Sequence, residues 1–481
     1  MLRSGGFEAL RQREFARLDA QGAVYLDYTG AGLAPSSLVE AHRAALEHGV
    51  FGNPHSAHAA SRRSTVLLDD AREAVLAFFG VNASTHAVCF TANATAAAKL
   101  VAESYAFDDC HGLLLSADNH NSLNGIREYA RRAGAPVCYA SLDDELRLDE
   151  PVGLLGAKSG WKGALVAFPA QSNFSGVRHP LSLVGESHAL GFDVLLDAAA
   201  FVPTCALDLQ ACAADFVILS FYKMFGYPTG VGALIAKRDA LARLRRPWFA
   251  GGTVAFASVQ NDRHALRSTH EGFEDGTPNF LAVSAIPAGL AFLRGLRLDA
   301  IATRVHALTE TLLLSLQSLR HSNGAPLITI YGPRDMRDRG GIIAFNVLDV
   351  DGASVPYEWV EQELSDHDVF VRGGCFCNPG AAEAAFHFDR DATARCLATL
   401  AHTFTVERLA ECLGPAVAVG ALRASIGVPT NRRDLARAIS ALVEFRDYRR
   451  TQLARSTNGA VGPRVAARER AQLRFEPTLI R

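Results

Sequence analysis

The chain contains little lysine. Five of its 481 residues are lysines, at positions 99, 158, 162, 223 and 237, and arginine supplies nearly all the other positive charge. A net charge of -2 and the shortness of every basic run argue against nucleic-acid binding. Long hydrophobic runs are also missing, since no stretch has the length of a membrane span and the first residues lack a signal-peptide core. We expect neither nucleic acid nor a membrane as a partner.

Cysteine is scarce as well. The nine cysteines are scattered and odd in number, and their spacing matches neither a disulfide framework nor a complete zinc site. This usage predicts a cytoplasmic location and no metal. Cys375 and Cys377 stand out, because three glycines and Arg372 surround them. A flexible loop beside a cation favours a reactive thiolate, whereas a metal site would need two further ligands.

From about residue 86 to 236, short apolar runs alternate with helical patterns. Runs that are apolar without alternation fit strands covered on both faces, and their repetition with helices predicts a mostly parallel α/β sheet. In such sheets ligands gather at the carboxyl ends of the strands. The predicted strands cover residues 86–91, 112–116, 136–140, 163–168, 193–197, 215–220 and 231–236.

A second unit is predicted from residue 298 onward, with mixed helices and strands. We therefore expect a large domain over residues 21–297 and a small C-terminal domain over 298–450, joined by residues 1–20. Residues 451–481 are rich in arginine and contain turn-forming segments, so we interpret them as a loosely held tail.

Lys223 follows the apolar run that ends in Asp197, and it lies in a segment rich in glycine and proline. A lysine can form a Schiff base with an aldehyde cofactor, whereas an arginine stays protonated. A buried acid can pair with the ring nitrogen of pyridoxal 5′-phosphate and keep the ring an electron sink. Asp197 alone would serve equally as a helix N-cap. The two residues together predict that pyridoxal 5′-phosphate binds here.

A phosphate group needs backbone N–H groups and hydroxyls at the start of a helix. Ala94 and Thr95 lie where a strand end runs into a good helix former, which would also suit a simple N-cap. Ser220 and Tyr222, just before Lys223, offer further hydroxyls.

Two more residues carry suitable chemistry. His120 follows a predicted strand, and its ring could stack on a flat cofactor and shuttle protons, although a lone histidine is more often structural. Arg423 lies at the edge of a predicted strand and could bind a substrate carboxylate through a bidentate fork. Alternatively, Arg423 is an ordinary surface arginine with no role in binding.

These residues lie in segments that resemble class-V aminotransferase-type proteins of the cysteine desulfurase group, most closely the desulfurase domain of the molybdenum cofactor sulfurases. The resemblance covers about residues 21–445. It rests on segments in the same order at 25–32, 52–56, 168–176, 220–230, 273–278 and 374–380.

The resemblance implies a pyridoxal-phosphate-dependent transferase of fold type I, with an α/β large domain and a smaller α+β domain, and a site at the interface of a homodimer. Lys223 would bond to the cofactor aldehyde, Asp197 would hold the pyridine nitrogen and His120 would stack on the ring. The phosphate would be held by Ala94, Thr95, Ser220 and Tyr222, with Thr277 supplied by the other subunit.

The resemblance also implies L-cysteine as substrate, bound by Asn173, Arg423 and Arg372. In related desulfurases the persulfide-forming cysteine lies five residues after an arginine. Cys377 has this spacing from Arg372, so Cys377 would be the nucleophile and Cys375 an accessory at most. The products would be alanine and a protein persulfide, whose sulfur acceptor the sequence does not name.

The sequence departs from the family at several positions. Ala200 replaces a polar group common near the cofactor hydroxyl, Gly272 replaces an arginine, and Tyr222 replaces a histidine. Too few residues follow position 450 for the large C-terminal domain of full-length molybdenum cofactor sulfurases. Open alternatives are an aminotransferase, a C–S lyase, a selenocysteine lyase or a catalytically silent scaffold. The Cys377 loop favours the desulfurase.

Overall fold

A seven-stranded sheet forms the centre of the molecule. The computed structural model describes residues 4–149, 155–156, 158, 160–414 and 417–449, so the predicted tail lies outside the described residues. The strand order is β2-β8-β7-β6-β5-β3-β4, with β8 antiparallel to both neighbours and the other pairings parallel. After β1 (Val24–Tyr25), these strands are β2 (His86–Thr91), β3 (His111–Ser116), β4 (Val137–Ala140), β5 (Gly163–Pro169), β6 (Asp193–Asp197), β7 (Phe216–Ser220) and β8 (Gly232–Lys237).

The central strands are apolar because helices cover the sheet on both faces. Every residue of β5 and β7 is buried, as expected for a parallel sheet of this kind. The helices of this part whose bounds lie within the described residues are α1 (Ser4–Glu14), α2 (Ala16–Ala20), α3 (Ser36–His48), α4 (Ala59–Phe78), α5 (Ala94–Ser104), α6 (Asn121–Asn124), α7 (Ile126–Arg132), α8 (Ser182–Ala189), α9 (Leu209–Cys212), α10 (Phe221–Phe225) and α11 (Arg238–Arg243).

A hairpin and a group of helices follow the sheet. Strands β9 (Val254–Ser258) and β10 (Arg263–Leu266) pair antiparallel, and a short 3-10 helix spans His270–Phe273. Next come α12 (Phe280–Val283), α13 (Ile286–Leu296) and α14 (Leu298–Ser318). Within the described residues no single helix is long and apolar enough to cross a membrane. The segments Phe280–Leu296 and Leu298–Ser318 have the required length and hydrophobicity only when taken together, and a bend of 68° separates them.

The C-terminal part is built on a four-stranded antiparallel sheet of order β11-β12-β15-β14. Its strands are β11 (Ile328–Tyr331), β12 (Ile342–Val347), β14 (Arg372–Gly374) and β15 (Ala421–Ser425), and β13 (Val369–Phe370) precedes β14. The helices are α15 (Tyr357–Asp366), α16 (Pro379–Ala385), α17 (Arg390–Leu400), α18 (Val406–Leu413) and α19 (Arg432–Val443), with a 3-10 turn at Ala401–Thr403.

The N-terminal segment packs on this C-terminal part. Arg11 of α1 forms a buried ion pair with Asp434 of α19, and β1 pairs in parallel with β13. The association of residues 1–20 with the small domain stays a prediction. Residues 24–25, which the sequence analysis assigned to the large domain, pair with the C-terminal part instead. The boundary at residue 297 stays a prediction.

One structural feature departs from the cysteine analysis. Cys396 of α17 and Cys412 of α18 form a disulfide, although their spacing gave no sign of pairing. The bond joins two neighbouring helices that lie between the Cys377 loop and β15 in the sequence. The remaining seven cysteines are free thiols.

Candidate active site

A cavity of about 330 Å³ opens at the carboxyl edge of the central sheet. Its walls come from residues just after β2 and β3 and at the ends of β5, β6 and β7, so several strand ends converge on it, as parallel sheets dictate. The cavity is lined by Ala92, Asn93, Ala94, Thr95, His120, Ser122, Pro169, Gln171, Asn173, Asp197, Ala199, Ala200, Ser220, Tyr222, Lys223, Thr229 and Gly230.

Lys223 lies at the base of this cavity. It belongs to the short helix α10, which begins directly after β7, and it is half-buried. Burial lowers the pKa of its ammonium group, and Arg423 acts in the same direction, while Asp197 opposes the shift. The fraction of neutral amine is therefore larger than for an exposed lysine, and the neutral amine is the form that attacks an aldehyde.

Asp197 ends β6 and is buried in the cavity wall. Its Oδ1 accepts a hydrogen bond of 2.9 Å from the backbone N–H of Ala199. No described helix begins there, so the N-cap alternative is wrong. Among the described residues Asp197 forms no ion pair. A buried carboxylate is costly without a cation, and a protonated pyridine nitrogen would supply one.

A polar corner lies beside the N-terminus of α5. The backbone N–H of Ala94 donates to Ser220 Oγ at 3.0 Å, and Asn93 caps the helix through Ala96 N–H. Thr95 Oγ1 contacts Ser122 Oγ at 2.7 Å. Hydroxyls and the first N–H groups of an eleven-residue helix meet in this corner, which suits a phosphate.

His120 is connected to this corner through Ser122. The backbone N–H of Ser122 donates to His120 Nδ1 at 3.1 Å, and Ser122 Oγ lies 2.8 Å from the same nitrogen. Because Nδ1 accepts, the neutral ring carries its proton on Nε2. Burial lowers the pKa of His120, against the effect of Asp197, and so favours this neutral form.

Cys377 lies in a loop that docks against the residue after His120. The carbonyl oxygen of Cys377 accepts a hydrogen bond of 2.7 Å from Asn121 N–H, and the thiol itself is exposed. Cys375 is different: its Sγ approaches Val419 O at 3.3 Å, and burial raises the pKa of the thiol. The geometry therefore favours Cys377 over Cys375 as the available thiol.

The predicted substrate-binding residues form a connected group beside the cavity. Asn173 lines it, and Arg423 Nη1 donates to Asn173 O at 2.9 Å. Arg423 is 2% exposed, so the surface-arginine alternative is wrong. Arg423 and the half-exposed Arg372 both donate to the carboxylate of Asp27, and burial lowers the pKa of Arg423 to about 10. Neither arginine lines the cavity.

Thr277 stands apart from the other predicted residues. It is exposed and does not line the cavity of its own chain. Its loop is anchored by Glu274, whose carboxylate accepts from Arg72 Nη2 at 2.6 Å and from Phe90 N–H at 2.8 Å. A role for Thr277 in this cavity would thus require a second subunit.

Sequence reasoning missed four residues of the site: Asp27, Ser122, Gln171 and Asn378. Gln171 lines the cavity and donates to Ala200 O at 2.9 Å. Ser122 and Gln171 follow predicted strand ends, a signal that could have found them. The contacts of Asp27 and Asn378 join segments far apart in the sequence, and no local pattern marks them.

The sequence profile described as "Aminotransferase class-V" matches residues 24–437. The chain belongs to the class-V aminotransferase family. Members of this family use pyridoxal 5′-phosphate, and the half-buried Lys223, the buried Asp197 and the helix N-terminus of the cavity fit that group. The predicted cofactor and family are confirmed.

Known proteins of this family extend the comparison. The chain is 38% identical over 403 residues to the molybdenum cofactor sulfurase of Bos taurus, covering 79% of this chain and 45% of that protein. The chain spans about half the length of the curated relatives it matches.

Solved structures share the fold. The apo structure of a cysteine desulfurase from Thermococcus onnurineus NA1 aligns with a TM-score of 0.75 at 25% identity, covering 91% of this chain and 97% of that one. A C-DES variant with glycine covalently linked to its PLP cofactor aligns with a TM-score of 0.68 at 18% identity, covering 90% and 99%. The predicted fold class, a large mostly parallel α/β sheet with a smaller C-terminal unit, is confirmed.

Proposed function

We propose that this chain is a pyridoxal-phosphate-dependent cysteine desulfurase that takes sulfur from L-cysteine onto Cys377. The observation that carries the proposal is the docking of an exposed thiol loop on the segment after His120, at a cavity with Lys223 at its base. Aminotransferases and lyases need the lysine and the acid but have no use for such a thiol.

The cofactor, when bound, supplies an electron sink that permits cleavage of bonds at the α and β carbons of an amino acid. The protein residues provide the rest. Lys223 offers a neutral amine for the aldehyde, and Asp197 offers a carboxylate for the pyridine N–H. His120 presents Nε2–H into the cavity because Ser122 engages Nδ1.

Cys377 acts as the nucleophile. Its Sγ bonds to the sulfur of L-cysteine as the Cβ–S bond of the substrate breaks, and Cβ gains a proton. Alanine leaves, and Cys377 keeps the sulfur as a persulfide, so one thiol and one cysteine give one persulfide and one alanine. Asn173 in the cavity wall and Arg423, which lies beside the cavity and donates to Asn173 O, would hold the substrate carboxylate, and Arg372 shares the partner Asp27 with Arg423.

The assembly and the acceptor are part of the proposal. A homodimer would bring Thr277 of one subunit to the phosphate corner of the other, and exposed Trp248, Phe249 and Phe256 supply apolar surface near that loop. Mixing Lys223→Ala and Thr277→Ala subunits would then restore activity in hybrid dimers, whereas a site contained in one subunit would restore none. We propose a cytoplasmic setting and a separate sulfur acceptor of unassigned identity.

The test is turnover of L-cysteine by the cofactor-loaded protein. Alanine and enzyme-bound sulfur should appear in equal amounts, and mass mapping should place the sulfur on Cys377. Cys377→Ser should stop both while keeping the visible absorbance of the bound cofactor, and Cys375→Ser is the matched control that should retain both. Borohydride reduction should tag Lys223.

Other products would identify another reaction. Pyruvate and ammonia would indicate a C–S lyase, a keto acid without free sulfur would indicate an aminotransferase, and turnover confined to selenocysteine would indicate a selenocysteine lyase. A protein that binds no pyridoxal phosphate would be a scaffold.

A further inference from the structure

The loop that carries Cys377 has an unfavourable backbone. Phe376 and Cys377 are consecutive non-glycine residues with φ of 56° and 55°. Each left-handed residue of this kind costs about 1–2 kcal/mol. The loop therefore needs strong contacts to hold this conformation, and the structure shows where they come from.

Asn378, the next residue, is fully buried. Its Nδ2 donates to Asp118 O at 2.6 Å and to Asn173 Oδ1 at 2.9 Å. Its Oδ1 accepts from Ala381 N–H at 3.2 Å and so caps α16. Both hydrogens and the acceptor of this one amide are used: one bond reaches Asn173 in the cavity wall, a second reaches the backbone that leads to His120, and the third stays in its own helix.

The partners of Asn378 are themselves fixed. Asp118 forms a buried ion pair with His179 at 2.8 Å, and it lies two residues before His120. Asn173 donates from Nδ2 to Phe376 O at 2.7 Å. The Asn173 amide therefore contacts the thiol loop on both sides, through Phe376 and through Asn378.

Gly380 provides an independent sign of close docking. A Cβ at this position would collide with the carbonyl oxygen of Ala117. The first turn of α16 thus packs directly on the backbone that leads from β3 to His120, and only glycine permits this approach. Together with the Asn121–Cys377 hydrogen bond, the contact locks the thiol loop onto the segment 117–121.

We propose that Asn378 is the positioning residue for the Cys377 thiol. This inference rests on the proposed desulfurase function and deepens it. Asn378 touches neither substrate nor cofactor; it fixes the loop so that Cys377 meets the substrate sulfur while Asn173 holds the same substrate. Losing the amide frees the loop and slows sulfur transfer, but leaves the Lys223 chemistry in place.

The test uses Asn378→Ser, because a serine still caps α16 through Ala381 N–H but is too short to reach Asp118 O and Asn173. Asn431→Ser is the matched control, since Asn431 caps α19 in the same way away from the cavity. Two rates are measured on cofactor-loaded protein: single-turnover persulfide formation from L-cysteine, and Cα–H exchange of L-alanine in D₂O, which needs no thiol.

We expect Asn378→Ser to slow persulfide formation by about 100-fold, as for a misplaced nucleophile, with Cα–H exchange within about threefold of wild type. In cofactor-free protein, alkylation of Cys377 by iodoacetamide should accelerate as the loop is freed. Gly380→Ala should also slow persulfide formation and leave Cα–H exchange nearly unchanged, because the added Cβ would push α16 and the Cys377 loop away from Ala117. Asn431→Ser should match wild type in both rates.

Persulfide formation within about threefold of wild type in Asn378→Ser would overturn the inference. Equal loss of exchange and persulfide formation would also overturn it, since the role would then be structural. A wild-type protein that forms no persulfide would instead defeat the proposed function, and unaltered Cys377 alkylation in Asn378→Ser would separately exclude the loop clamp.

Discussion

Replacing His179 with leucine should destabilise the protein strongly. His179 Nε2 lies 2.8 Å from Asp118 Oδ2, and both side chains are 1% exposed. Burial opposes ionisation of Asp118, but His179 and the hydroxyls of Ser116 and Ser172 outweigh it and lower the pKa of the carboxyl. Breaking a buried pair by removing one partner costs about 3–5 kcal/mol. Because the two hydroxyls remain in the variant, we expect the lower end, about 3 kcal/mol.

His188→Leu is the matched control. His188 Nε2 lies 2.7 Å from Asp215 Oδ2, but the histidine side chain is 30% exposed. Asp215 also keeps an ion pair with Lys237 at 3.1 Å. We expect a loss of about 1 kcal/mol or less for this pair.

Equilibrium urea unfolding, at one protein concentration and with cofactor in excess, measures both variants against wild type. Equal losses for the two leucine variants would show that burial of the Asp118–His179 pair contributes no extra stability. That result would refute the reasoning. It would also weaken the view that Asp118 is a fixed anchor for the thiol loop.

Three further changes follow from charges and cross-links elsewhere. Asp27→Asn removes an acceptor of charge-assisted bonds from Arg423, so the free energy of unfolding in urea should fall by about 2–3 kcal/mol; an unchanged value would contradict this. Burial and Arg72 lower the pKa of His270 to about 4. Below about pH 6.5 the unfolded chain binds this proton but the folded protein does not, so the free energy of unfolding falls as the pH drops from there towards 4. Replacing His270 with asparagine should therefore reduce the loss of stability between pH 7 and 5 by about 1 kcal/mol. Reducing the Cys396 disulfide, which spans 16 residues, should lower protection from hydrogen exchange in residues 390–413 by about 3 kcal/mol; equal exchange in both redox forms would exclude a stabilising cross-link.

The central sheet could be predicted because its signals are local. The predicted strands at 86–91 and 193–197 coincide with β2 and β6, since buried parallel strands are written as continuous apolar runs. Strand ends of such a sheet meet at one edge. The sequence therefore predicts that Asp197, at the end of one strand, and His120, shortly after another, lie close to each other.

Contacts between distant segments could not be predicted in this way. Asp27 meets Arg423 across 396 positions, and Asn378 meets Asp118 across 260. The first contact depends on where the N-terminal strand joins the C-terminal part, and the second depends on how that part packs against the central sheet. Neither a residue type nor a spacing in the sequence indicates such packing. The Cys396–Cys412 bond was missed for a similar reason, because it depends on the packing of α17 against α18.

The site takes its residues from two parts of the fold, and this explains which side chains tolerate substitution least. Asp197 ends β6 of the central sheet and Lys223 lies in α10 directly after β7, whereas Cys377 and Arg423 come from the C-terminal part. Several contacts that join the two sides run from a side chain to a backbone atom or between backbone atoms, and the Asn378 and Asn173 amides also bond to each other. A backbone partner is present whatever residue occupies its position, so the alignment of thiol and lysine depends on few donors. Asn378 and Arg423 supply two of them, and their loss cannot be compensated by a neighbour on the same strand.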